Sequence, residues 1–135
     1  MKNIGAAACI AMAITAGVQA HHSFAAEFDG SKIQTIKGNV VEFQWTNPHA
    51  YLILDVSDSA GKIARWGVQS RNLSILKRQG LSKQTFKVGE VVTIELYHHH
   101  DPAKNVGFAR YIQKADGTKY DVIPGGRGGI IPPNP

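Results

Sequence analysis

The stretch Ser70-Arg71-Asn72-Leu73-Ser74-Ile75-Leu76-Lys77-Arg78-Gln79-Gly80 decides the fold, because here the apolar spacing leaves the alternation of a strand for the period of a helix. Ser70 or Asn72 can cap a short helix running to about Gln79, with Leu73, Ile75 and Leu76 as its buried stripe. Lys77 and Arg78 fall in the last turn, where positive charge suits the helix dipole, and Gly80 can close it.

Upstream the pattern is that of strands. Residues 33–45 form a long first strand in which Val41, Phe43 and Trp45 alternate, and its apolar phase slips at Val40-Val41, just after Gly38. Such a slip predicts a bulge or a sharp bend. Thr46-Asn47-Pro48-His49 interrupts the pattern, since proline removes a ladder donor and restricts its predecessor. Tyr51 to Val56 is a second strand, Asp58-Ser59-Ala60-Gly61 a turn, and Lys62 to Gln69 a third strand carrying Trp66.

Downstream, Lys87-Val88-Gly89-Glu90 reads as a turn and Val91 to Tyr97 as a fourth strand, with Val92, Ile94 and Leu96 on one side. A loop from His98 to Val106 precedes a fifth strand, Gly107 to Gln113. Ala115-Asp116-Gly117 then turns the chain into a short sixth, Lys119 to Ile123. The fold class is all-β: an OB-like barrel of five to six strands with one short helix between strands 3 and 4. Strand number alone also fits a small sandwich, and the position of the helix favours the barrel. Residues 124–135 read as a flexible Gly/Pro-rich tail.

At the other end, residues 1–20 have the form of an export signal. Lys2 supplies the positive region, Ile4 to Gly17 is apolar and uncharged, and Val18 and Ala20 are the small residues before a cleavage point. The run is short of the roughly 20 apolar residues of a membrane span. The expectation is therefore a periplasmic or secreted protein starting at His21, with no membrane span after cleavage. The only cysteine, Cys9, lies in the signal, so the domain at residues 21–123 relies on its core or a ligand rather than a disulfide. The net charge of +5 comes from lysines and arginines scattered among acidic residues. That distribution speaks for general solubility and against nucleic acid as a partner.

The residues with the most chemistry are the six histidines, His21, His22, His49 and His98 to His100. An N-terminal His21 would offer its amine and its ring to one ion. In an OB-like barrel the loops that carry His49 and the triplet flank the same binding face, which gathers remote imidazoles. In an extended segment His98 and His100 share a side and His99 points away. Imidazole without sulfur suits copper, or zinc, in an exported protein. The candidate metal ligands are thus His21, His22, His49, His98 and His100. Each has a plainer alternative: a solvated terminus, a turn-capping ring at His49, a chance polar run at 98–100. Asp101-Pro102 is a turn signal before it is a ligand, and Trp45, Tyr51 and Trp66 read as core.

Catalytic motifs do not emerge. There is no thiol after residue 20, no Gly-x-Ser-x-Gly elbow, no phosphate-cradling glycine loop and no His-Glu-x-x-His helix. Glu27 and Asp29 are a weak basis for acid–base work. The chelate at His21 resembles the histidine brace of exported copper proteins, although no extended aromatic platform for a polysaccharide accompanies it.

The run His21-His22-Ser23-Phe24-Ala25-Ala26-Glu27-Phe28-Asp29, with Gly38-Asn39-Val40-Val41, Trp45-Thr46-Asn47-Pro48-His49 and Trp66, resembles a family of small exported bacterial proteins of unknown function. The resemblance runs from His21 to about Ile123. It implies a single exported domain and brings no activity, cofactor or substrate. The reading is a non-enzymatic periplasmic binding protein that takes a transition metal, copper in preference to zinc, through histidines. The alternative is a protein- or oligosaccharide-binding module, or an accessory subunit of a periplasmic complex.

Overall fold

The computed structural model describes residues 24–123. The expected signal, His21, His22 and the Gly/Pro-rich tail lie outside the described residues. The elements are α1 (Phe24–Glu27), β1 (Phe28–Gln44), β2 (Tyr51–Ser57), β3 (Ile63–Gln69), α2 (Leu73–Arg78), β4 (Val91–His99), β5 (Val106–Lys114) and β6 (Lys119–Asp121). The strands form one sheet in the order β3-β2-β1-β4-β5-β6, antiparallel between neighbours. A further pairing joins β3 to β5 in parallel, Gly67 opposite Val106 through Gln69 opposite Phe108.

The long β1 serves two partners in turn. Ile33 to Asn39 pair with β4, and Asn39 to Gln44 pair with β2. The change of partner falls where the apolar phase slips: the register with β2 shifts between Val40 and Glu42, which is the expected bulge. Gly38 stands at that crossing for a steric reason. A Cβ there would lie 2.6 Å from the Asp55 carbonyl oxygen, so only glycine lets β1 and β2 approach. β1 also starts at Phe28 rather than Ile33. Residues 30–35 are all exposed, so no alternation marks them, and pairing with β4 holds part of the segment instead of burial.

Between β3 and β4 the helix forms as expected, and Asn72 rather than Ser70 is its cap, accepting from Ile75 N at 3.0 Å. A second side chain reaches the same helix start: Asn47 Oδ1 accepts from Leu73 N at 3.0 Å and ties the β1–β2 connection to α2. Leu76 is fully buried and Gly80 takes the left-handed conformation that ends the helix. Around Leu76 the core gathers Leu52, Leu54, Val68, Ile94 and Leu96, all essentially without exposure. Trp66 is 7% exposed and belongs to this core, as expected, while Trp45 is half-buried against Phe43. Among the described residues no helix is long and apolar enough to cross a membrane.

Candidate functional site

The histidines in the described residues sit where regular structure ends, and each ring is oriented by backbone. His49 lies in the connection between β1 and β2, which the main chain fastens to the end of β3: Ser70 N donates to Ala50 O at 2.8 Å and Ala50 N to Arg71 O at 3.1 Å. Its Nδ1 is 3.2 Å from the Ser70 carbonyl. A carbonyl only accepts, so Nδ1 carries the hydrogen and in the neutral ring Nε2 keeps a free lone pair. The same argument applies to His98, whose Nδ1 donates to the His99 carbonyl at 2.7 Å, and to His100, whose Nε2 donates to the Ala25 carbonyl at 2.9 Å. That leaves a lone pair on Nε2 of His98 and on Nδ1 of His100.

His99 is the opposite case. Its Nδ1 accepts from Asp101 N at 2.9 Å, so its Nε2 carries the hydrogen. Binding an ion there would require that bond to break. Asp101 meanwhile acts as a turn residue, accepting from Ala103 N at 2.9 Å.

The rings at 98 and 100, one residue apart in spacing, serve different neighbours. His98 packs edge-on against Trp66 of β3, 5.5 Å between centroids, and His100 holds α1. From His98 the pairing runs through Gly107 and Val68 to Leu52, three strand steps, or roughly 14 Å along the sheet at ~4.8 Å per step. His49 lies just before β2, so the sheet separates it from His98. Among the described residues no group of three or more His, Cys, Asp or Glu side chains is placed to hold a metal ion.

α1 was not foreseen, since four residues are too few for a periodic signal. Phe24 docks it. The ring meets Tyr97 at 5.1 Å and Phe108 at 5.4 Å, both edge-on, and tilts over Phe28 at 5.6 Å. His100 fastens it further, with its own N–H donating to the Glu27 carbonyl at 3.0 Å. Burial, and then the charge of Glu27, push the Tyr51 hydroxyl above its ordinary range. Glu27 thus lies near both the end of β4 and the start of β2, two residues after His49. Asp29, two residues after Glu27, caps a turn: its carboxylate accepts from Ser31 Oγ and N, which hold it below the usual range.

A groove of about 650 Å³ opens between the exposed part of β1 and the β4–β5 loop, lined by Ser31, Lys32, Ile33, Gln34, Trp66, His98, Pro102 and Asn105. Sequence reading missed it because its walls come from four separate segments. On β5 and β6, Arg110 pairs with Glu95 and lies over the rings of Tyr97 and Tyr111, while the nearby Asp121 is 3% exposed. One Asp121 oxygen accepts from Ile123 N and the other has no partner, and burial raises the carboxyl pKa above the ordinary carboxylate value. Ser70 Oγ and Arg71 Nε are likewise buried without partners.

Comparison with curated proteins finds no match, and neither does comparison with solved structures. A family model does match, over residues 8–108, from inside the apolar N-terminal stretch to the third residue of β5. The chain belongs to the family of unknown function DUF6152.

Proposed function

We propose that this chain is an exported, non-enzymatic binding domain that takes a transition metal, copper in preference to zinc, through its N-terminal histidines and His100, with His49 as the further imidazole. The docking of α1 carries this reading. Residue 21 lies only three residues before Phe24, a reach of at most ~11 Å along an extended chain, and Phe24 and Ala25 are held beside His100. His100 keeps Nδ1 free, and Glu27 links this corner to the strand that follows His49. The described residues hold no three-ligand set by themselves, so such a site draws on His21 or His22. The parallel contact between β3 and β5 supports the OB-like barrel. His98, turned toward Trp66, is left out of this set, and His99 offers no lone pair.

Titration of the protein beginning at His21 with Cu(II) and Zn(II) tests the proposal. The expected result is Cu(II) binding tighter than about 10 μM, weakened about tenfold or more by His100→Ala and unchanged by His98→Ala. Absence of binding by either metal at that level overturns it. A protein- or oligosaccharide-binding role is the second reading, favoured by the open groove beside Trp66.

A further inference from the structure

We propose that the groove beside Trp66 and His98 is a separate binding site for a small organic carboxylate, independent of any metal. Its size falls within the range of small-molecule sites, roughly 300–1,000 Å³. Its polar chemistry is lopsided. The lining holds Lys32, the amides of Gln34 and Asn105, and no acidic side chain. Lys32 keeps a loose contact with Asp29 at 3.7 Å, and its side chain is 60% exposed, so the ammonium has hydrogens to spare.

Trp66 supplies the second observation. It is more than nine-tenths buried, yet its indole N–H makes no hydrogen bond among the described residues and is not sealed from solvent. Trp66 lines the groove, so the groove is the place we assign for a ligand to meet that donor. An indole N–H only donates, so what satisfies it is an acceptor. A carboxylate fits this donor and the Lys32 ammonium together, because charge-assisted bonds are the strong ones.

The rest of the lining describes the rest of the ligand. Ile33, which is 52% exposed, and Pro102 give apolar wall for a ring or short chain. His98 has spent its Nδ1 hydrogen on the His99 carbonyl, so its neutral ring offers Nε2 as an acceptor for a hydroxyl or amine on the bound molecule. The ligand class is therefore a carboxylate with an apolar body and one donor.

The test uses 4-hydroxybenzoate as probe, titrated into the ¹⁵N-labelled protein with a chelator present so that no metal mediates binding. The Trp66 indole resonance should move saturably, with a dissociation constant of about 1 mM or tighter. Lys32→Gln, a surface change, should weaken binding about fivefold or more. Trp66→Phe, read through the Asn105 side-chain amide, should do the same. 4-Hydroxybenzyl alcohol, which lacks the charge, should leave the indole resonance in place. A still indole signal, an equal response to the alcohol, or full affinity in Lys32→Gln overturns the proposal. The metal site can fail its own titration without touching these outcomes.

Discussion

The two helices of this domain dock on the same sheet by opposite rules. α2 drives Leu76 fully out of solvent, among Leu52, Ile94 and Leu96. α1 offers Phe24, 39% exposed, to an aromatic group of Phe28, Tyr97 and Phe108 outside the main core. At the start of α2 the side chains of Asn72 and Asn47 each satisfy one helix N–H. Around α1 the fixing is done by a histidine ring and a main-chain bond, which leaves ring nitrogens free. The lesson is a division of labour: packing on the α2 side supplies stability, and the α1 side can therefore keep exposed, polar and chemically useful groups.

Substitutions can break this contrast. The largest effect belongs to Leu76→Ala, expected to lose about 3 kcal/mol of unfolding free energy through the cavity it leaves, measured by urea denaturation. A loss under about 1 kcal/mol would mean that α2 is no anchor. Next comes Gly38→Ala, expected to cost about 2 kcal/mol as its methyl group meets the Asp55 carbonyl across a crossing that has no room. Phe24→Ala should cost only about 1 kcal/mol globally, the scale of its edge-on aromatic contacts. It should at the same time speed amide exchange at residues 25–28 and leave exchange at α2 unaltered. Equal acceleration at both helices would erase the distinction.

The smallest effect is a dependence on pH. Burial raises the pKa of Asp121, so the fold prefers its neutral form. That contribution is complete below the unfolded-state value near 3.8 and is lost as pH rises through the higher folded-state value. Asp121→Asn keeps an oxygen for Ile123 N without the charge, so its urea midpoint should gain on the parent's between pH 4 and pH 7. Parallel midpoints across that range would show that the charge is relieved by solvent.

The same contrast explains what the amino acids disclosed in advance. Val92, Ile94 and Leu96 announce β4 because a strand packed on one face must alternate, and Leu73 to Gly80 announces α2 because a buried helix needs a stripe and an end. The slip at Val40 betrayed the bulge for the same reason. Residues 28–32 of β1 stayed hidden, since a segment whose middle is exposed on both faces has no pattern to read. β4 also runs two residues beyond Tyr97, because pairing with Phe28 and Gly107 carries it through His99. The histidines could be named from sequence, but not their roles. Which nitrogen holds the hydrogen is set by carbonyls at Ser70, His99 and Ala25, two of them far away along the chain.

One comparison of affinities reaches the centre of the account: Cu(II) binding by protein starting at His21 against protein carrying a single alanine before it. The extension leaves every imidazole in place and removes the histidine amine from its chelate with the ring. The account predicts that affinity falls about a hundredfold, on the order of 3 kcal/mol. Equal affinity in the two proteins would contradict it.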